Sequence, residues 1–117
     1  HPGTLGVVLM EPNAYKYFKA NGDYANGTML LLSFYQSEVK SDPQLQGFVQ
    51  GDMRAQEIHV IDPVRYAEGS AFFVYPNTTE GTAMPEGSEC MQCHTQEGDF
   101  RSTFIQFYPT IRSMNRK

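Results

Sequence analysis

The chain contains 117 residues, of which 40% are hydrophobic and 19% are charged. This length corresponds to one domain over residues 1–117 and excludes a second domain of ordinary size. Eight Phe and seven Tyr against two Cys indicate a packed core, which excludes a disordered chain and a disulfide-stapled small protein. A net charge of -4 argues against nucleic acid as a partner. The fully apolar runs, such as Met29–Leu32, are far shorter than a membrane-spanning helix, so no segment is expected to cross a membrane.

The first half of the chain contains one predicted helix and one predicted strand. Residues 1–11 are expected to be a loose lead-in with a short apolar piece. Asn13 is the predicted N-cap of a helix that ends at Asn21-Gly22, since glycine readily adopts the conformation that ends helices. A turn then leads into the β-like stretch Thr28–Tyr35, and the polar residues 37–47 predict a loop.

The second half contains two further predicted strands and a predicted helix. Over Arg54–Ile61 the side chains alternate between two faces, with Glu57, His59 and Ile61 on one and Ile58 and Val60 on the other. A third strand is predicted over Ala71–Tyr75, followed by a polar loop over residues 77–89. The spacing of the phenylalanines in residues 100–107 predicts a helix with a buried aromatic stripe, which Pro109 ends.

Both cysteines of the chain lie in one short motif, Cys90-Met91-Gln92-Cys93-His94. This CxxCH pattern is the attachment signal of c-type haem. On a helical turn, positions i, i+3 and i+4 share one face, so the two thiols and the imidazole would point the same way. The thiols of Cys90 and Cys93 bond to the two haem vinyl groups, and His94 becomes the proximal ligand of the iron. The motif predicts one covalently attached haem c per chain.

Three other interpretations of the motif stay open. A thioredoxin-like redox pair would be expected after an early strand of a βαβ unit, whereas this motif lies near the C-terminus. A zinc site needs two further ligands, and His1 and His59 are the only other histidines. A disulfide between Cys90 and Cys93 would close a loop too small to stabilise the fold much. Haem attachment is favoured over these three interpretations.

The position of the motif in the chain indicates the fold class. Ordinary small c-type cytochromes are all-helical and carry CxxCH near the N-terminus. Here the motif begins at Cys90 of 117 residues, after three strand-like segments. We therefore expect an α+β fold, mainly an antiparallel β-sheet with flanking helices and with the haem attached near the C-terminus. Because bacteria attach c-type haem outside the cytoplasm, the same interpretation predicts an exported, periplasmic protein.

Several strings of the chain resemble those of the cytochrome P-460 family, which includes the β-sheet cytochromes c′-beta. They lie at residues 13–18, 26–30, 57–66, 71–73 and 90–109. The most specific part is CxxCH followed by the Phe-x-x-Phe-Tyr-Pro ending at Phe104–Pro109. The resemblance covers nearly the whole chain. It implies a mainly antiparallel sheet, a homodimer, and a pentacoordinate haem iron with His94 as its sole protein ligand.

Two departures from the family pattern bear on activity. Members that oxidise hydroxylamine carry a lysine bonded to the haem edge, within a Val-Lys-Asp-Pro-like string, and this chain has Ile61 at that position. Isoleucine has no nucleophilic nitrogen, so the crosslink cannot form there. The Gly-Trp dipeptide of the family is replaced by Gly69-Ser70. The resemblance thus favours a cytochrome that binds NO or CO over an enzyme.

Further haem contacts are expected on the predicted strands and the turn after the second one. They are Ile61, His59, Arg65, Phe34 and Phe73. His59 lies on the same strand face as Ile61. It is expected to be a distal iron ligand, a hydrogen-bond donor to a bound ligand, a partner of a haem propionate, or a histidine that hydrogen-bonds at the sheet surface or a dimer contact. A guanidinium suits a haem propionate, although a solvated Arg65 fits equally well. Phe34, Phe72 and Phe73 lie on predicted strands, and one or more of them would cap the distal side of the haem or pack in the core.

Methionines are the other candidates for a sixth iron ligand. Met91 lies inside the motif and is expected to point away from the iron. Met84 lies a short loop upstream and is expected on the proximal side if His94 is the proximal ligand. The remaining candidates are Met10, Met29, Met53 and Met114. Methionine in a core more often fills a gap than binds a metal, so an open distal position is favoured.

Three functions are compatible with these residues. The first is a pentacoordinate haem protein that binds NO and CO at an empty, apolar distal side. The second is a hydroxylamine- or NO-oxidising enzyme of the cytochrome P-460 type, or its crosslink-deficient form. The third is a low-spin electron-transfer cytochrome, which needs a second strong ligand such as methionine or His59.

Acidic residues near the motif would guide a basic redox partner protein or simply form a solvated loop. They are Glu80, Glu86, Glu89, Glu97 and Asp99.

Overall fold

The computed structural model describes residues 3–42, 45–75, 81–85 and 87–115. In these ranges the chain forms a five-stranded antiparallel sheet whose strands follow one another in sequence order. The strands are β1 (Thr4–Met10), β2 (Thr28–Asp42), β3 (Leu45–Ile61), β4 (Ser70–Tyr75) and β5 (Thr82–Ala83). The helices are α1 (Pro12–Asn21), α2 (Glu89–Glu97) and α3 (Pro109–Arg112), with a 3-10 turn at Ile105–Phe107. The predicted α+β class is confirmed.

The N-terminal segment is more regular than predicted. β1 replaces the expected loose lead-in, because its apolar residues pair with the otherwise open edge of β2. The N-cap of α1 is Glu11 and not Asn13: the Glu11 carboxylate accepts a hydrogen bond from the backbone N–H of Ala14 at 2.9 Å. The helix ends at Gly22 as predicted, with a left-handed φ of 71°. None of the helices in the described ranges has the length and apolarity needed to cross a lipid bilayer.

A long hairpin takes the place of the predicted polar loop over residues 37–47. β2 and β3 pair with each other out to Asp42 and Leu45, well beyond the predicted strand ends. Polar composition was misleading because the outer part of a two-stranded ribbon is solvated on both faces. Val39 and Phe48, which pair across this part, are both more than 70% exposed. Pro43, expected to mark the loop, lies outside the described residues.

The predicted helix over residues 100–107 is wrong. Phe100 and Thr103 form an isolated bridge around a tight turn, and only Ile105–Phe107 adopts a 3-10 turn. Left-handed backbone at the two residues inside the turn interrupts the helical hydrogen-bond ladder. Phe107 is 70% exposed, so the aromatic stripe is not a core stripe. Pro109 begins α3 and does not end a helix, which suits its missing N–H.

The hydrophobic core lies between α1, the end of β3 and the C-terminal segment. Its buried members are Phe18, Tyr24, Ile61 and Ile105. The rings of Phe18 and Tyr24 lie 4.8 Å apart, centroid to centroid. This cluster therefore attaches the segment that follows α2 to one face of the sheet, and the functional site lies beside it.

Candidate functional site

The CxxCH motif lies on α2, as its spacing predicts. The helix begins after Ser88, whose hydroxyl accepts a hydrogen bond from the N–H of Met91, and it ends at Gly98. Positions 90, 93 and 94 therefore follow one another at helical i, i+3 and i+4 spacing. The Cys93 thiol is free and exposed, while Met91 is buried with 3% of its surface exposed. Burial of Met91 holds the helix against the fold with the thiol of Cys93 accessible.

His94 has one ring nitrogen engaged and the other unused. Its Nδ1 lies 2.9 Å from the carbonyl oxygen of Ser102. A carbonyl only accepts, so this bond assigns the proton to Nδ1 and leaves a lone pair on Nε2. Within the part of the chain that the structure describes, Nε2 makes no hydrogen bond. Metal-binding histidines adopt the same arrangement, in which the ring nitrogen that does not bind the metal donates its N–H to a backbone carbonyl or another acceptor.

A cavity of about 430 Å³ opens beside His94. One wall is a cross-strand row on the face of the sheet, formed by Met10, Leu30, His59 and Phe72. The opposite wall comes from the C-terminal segment, including Phe104 and Tyr108. The volume lies within the roughly 300–1,000 Å³ typical of small-molecule and cofactor sites. A largely apolar cavity with one free imidazole nitrogen at its wall fits a planar, apolar cofactor that carries a metal.

His59 packs directly against His94. Their ring centroids lie 5.4 Å apart, edge to face, and Phe72 stacks on His59 at 4.3 Å. The Nε2 atom of His59 lies 2.8 Å from the hydroxyl oxygen of Ser70, in a hydrogen bond. Burial lowers the pKa of His59 to about 3, with a smaller contribution from the nearby His94. His59 is therefore neutral at physiological pH and already holds a partner at Nε2.

The other predicted haem contacts are scattered by the fold. Ile61 is 2% exposed and belongs to the hydrophobic core beside the cavity, not to the cavity wall. Arg65 lies in the exposed turn after β3, with its guanidinium 5.5 Å from the centroid of the Tyr66 ring. Phe34 is on the cavity face of β2 but further along the strand than the lining residues. Phe73 is on the opposite face of the sheet, since its neighbour Phe72 is the cavity residue.

Glu57 and Phe104 are among the cavity residues that the sequence analysis did not assign to the site. Glu57 lines the cavity two positions before His59, and burial raises the pKa of its carboxyl above the usual range. The alternation of side chains along the strand had placed Glu57 on the same face as His59, and this was sufficient to identify it as a candidate. Phe104 was assigned to a core stripe, but its ring lies 4.7 Å from that of His94. The helix predicted for its segment concealed this contact.

The methionines separate clearly by position. Of the six, only Met10 is among the cavity-lining residues that the structure describes. Met29 and Met53 are 51% and 44% exposed, and Met114 packs against the core. Met10 is therefore the methionine with access to a cofactor bound in the cavity. Of the acidic residues near the motif, Glu80 and Glu86 lie outside the described residues, while Glu89, Glu97 and Asp99 are exposed.

An ion pair fastens the segment after α2 to the end of α1. Arg101 donates two hydrogen bonds to the two carboxylate oxygens of Asp23, at 2.6 Å each. These bonds hold the pKa of Asp23 below its usual range. The two side chains are 39% and 35% exposed, so solvent screens much of the attraction.

We expect Asp23→Asn to lower the free energy of unfolding by at most about 1 kcal/mol at pH 7. Because the folded-state pKa of Asp23 is depressed, the stabilisation is complete above the unfolded-state pKa of about 4 and is lost as the pH falls through the folded-state pKa. Urea unfolding at pH 7 and pH 2 measures the difference between the variant and the parent protein. Asp52→Asn, at an exposed carboxylate on β3, is the control. A difference that does not shrink between pH 7 and pH 2 would contradict this assignment.

Comparison with known proteins identifies the chain. The sequence model for Cytochrome P-460 matches residues 2–105, which includes the sheet, the CxxCH helix and the segment that carries Phe104. No curated protein matches the chain. The free nitrogen of His94 and the apolar cavity agree with the haem that this family binds. The chain therefore belongs to the cytochrome P-460 family and is a haem protein of that family.

Proposed function

We propose that this protein carries a covalent c-type haem with His94 as its only protein ligand to iron, and that it binds NO or CO at the open position. The observation that carries the proposal is the state of His94. Its Nδ1–H is held by the Ser102 carbonyl, and its unused Nε2 belongs to a ring that lines an apolar cavity. When bound, the haem would supply an iron that binds a diatomic gas.

The residues of the chain divide the work of holding the haem. The thiols of Cys90 and Cys93 would fix its edge to α2, and His94 would bind the iron. Leu30 and Leu32 line the cavity with aliphatic surface. Such a wall excludes water and offers nothing to a charged species, while it admits neutral diatomic molecules.

The electron-carrier alternative requires a sixth ligand from the protein. Met10 and His59 are the two cavity residues that the sequence analysis considered for this role. His59 could bind iron through Nε2 only by giving up its hydrogen bond to Ser70. Met10 lies two strands away from His59 in the same row, about 10 Å across the sheet. These positions favour an open site.

A hydroxylamine-oxidising enzyme is the second candidate, and one residue favours it. The half-buried Glu57 carboxyl lines the cavity, and its raised pKa suits it to accept a proton from a substrate. Against this stands the haem–lysine bond that the sequence analysis associates with such enzymes. None of the lysines in the described ranges, which are Lys16, Lys19 and Lys40, lines the cavity. Lys117 lies outside those ranges.

We expect the dithionite-reduced protein to show a broad high-spin spectrum that changes on addition of NO. Sharp low-spin bands that ignore NO would contradict the open site and indicate an electron carrier. A strongly red-shifted Soret band would indicate a haem crosslink and would favour the hydroxylamine-oxidising enzyme.

Two variants of neighbouring residues locate the gas site. Leu32→Phe adds bulk to the cavity wall, whereas Leu31→Phe adds the same bulk on the opposite face of β2. We expect the first to slow NO association by about tenfold, equal to ~1.4 kcal/mol of barrier, and the second to leave it unchanged. Stopped-flow absorption measures both rates, and equal rates in the two variants would place the gas site elsewhere.

A further inference from the structure

The turn that follows the CxxCH helix has an unusual backbone. Arg101 and Ser102 have φ values of 47° and 58°, the only positive values among the non-glycine residues that the structure describes. The N–H of Thr103 donates to the carbonyl of Phe100 at 2.9 Å and closes the turn. Two successive left-handed residues inside such a turn form the type I′ arrangement, which strongly prefers Asn-Gly. Arg-Ser adopts it at a cost in free energy, so other contacts must hold it.

Two contacts from the segment after α1 hold this turn. Arg101 is gripped by both carboxylate oxygens of Asp23, at 2.6 Å each. The next residue, Tyr24, is buried, and its hydroxyl shares a hydrogen bond of 3.0 Å with the hydroxyl of Thr103. Adjacent residues of one segment thus hold the first strained residue and the end of the turn.

The strained turn presents the acceptor for His94. The carbonyl oxygen of Ser102, inside the turn, lies 2.9 Å from Nδ1 of His94. The direction of this carbonyl depends on the left-handed backbone of Ser102, which follows the left-handed Arg101. Backbone strain is commonly retained where a function requires a particular geometry. Here the strained backbone places the Ser102 carbonyl where it accepts a hydrogen bond from His94, the iron ligand of the proposed function.

We propose that the Asp23–Arg101 ion pair is a positioning device for the proximal ligand. By holding the left-handed turn it keeps the Ser102 carbonyl against Nδ1, and that hydrogen bond makes the imidazole a stronger donor to iron. Arg101 and Asp23, neither of which lines the cavity, would thereby act through His94 on the reduction potential and on the strength of the iron–histidine bond. This inference rests on His94 being the iron ligand, as proposed above.

The test compares Arg101→Ala and Arg101→Gly in the haem-loaded protein. Both remove the guanidinium, but glycine adopts a φ of 47° without strain and needs no ion pair to stay there. We expect Arg101→Ala and Asp23→Ala to lower the iron–histidine stretching frequency in the resonance Raman spectrum of the ferrous protein and to raise its reduction potential. Arg101→Gly should stay close to the parent protein in both measurements. The double variant Asp23→Ala/Arg101→Ala should shift no further than either single variant.

Arg54→Ala provides the control, since Arg54 is an exposed arginine on β3 whose guanidinium bonds to the side chain of Gln36. It should change neither the frequency nor the potential. Unchanged values in Arg101→Ala would overturn the inference, and so would equal shifts in Arg101→Ala and Arg101→Gly, which would indicate a simple charge effect. A parent protein without an iron–histidine band would contradict the pentacoordinate iron of the proposed function. In that event the reduction potentials of the alanine and glycine variants still decide the inference.

Discussion

Replacing Cys90 and Cys93 together by serine is expected to abolish covalent haem attachment completely. In the proposed attachment each thiol forms one bond to the haem edge, and a serine hydroxyl lacks the nucleophilicity of a thiolate. The single variants should each keep one bond and retain haem on the polypeptide. Haem staining after denaturing electrophoresis and the mass of the intact chain measure the outcome directly.

Gln92→Ala is the matched control for these variants. Gln92 is exposed in the same helix, between the two cysteines, and its side chain donates to the carbonyl of Gly87. This variant should retain all of its haem and show the parent mass. Haem that separates from the parent protein in denaturant would mean that the CxxCH motif does not attach it. The redox, zinc and disulfide interpretations of the motif would then have to be tested instead.

Phe18→Ala is expected to lower the free energy of unfolding by about 3–5 kcal/mol, the range for removing a fully buried aromatic ring. Phe18 has no exposed surface and joins α1 to Tyr24, Ile61 and Ile105. Its loss leaves a cavity among residues from four parts of the chain, which cannot collapse together to fill it. Denaturant unfolding, with parent and variant in the same haem state, measures the difference.

The neighbouring Tyr17→Ala separates packing from helix propensity. Tyr17 lies in the same helix but is 46% exposed. Alanine is the best helix former in either case, so only the loss of burial differs between the two sites. We expect a change well below that of Phe18→Ala. Equal losses in the two variants would show that the buried cluster does not dominate the stability of the fold.

Local patterns were sufficient for the features that depend on a few neighbouring residues. The spacing of Cys90, Cys93 and His94 predicted their helix, because helical geometry is set within one turn. Alternation along Arg54–Ile61 placed His59 and Ile61 on the buried face, because a strand turns each successive side chain over. The homodimer, the redox partner and the periplasmic location stay predictions.

The tertiary structure decided the features that depend on distant segments. Whether Phe72 or Phe73 lines the cavity is set by the register of β4 against β3, and a slip of one residue would exchange them. The polar hairpin formed because each of its strands satisfies the hydrogen bonds of the other, which composition does not reveal.

From its own residues the sequence determined the class of the fold, the family and the helix that carries Cys90, Cys93 and His94. What surrounds His94 was decided only by folding. The acceptor of its Nδ1–H is the backbone carbonyl of Ser102. Because every residue has a backbone carbonyl, the sequence does not reveal which one accepts this bond. The turn that aims this carbonyl is held by Asp23, which lies 78 residues before Arg101 in the chain. Such a contact exists only once α1 and the C-terminal segment have packed together.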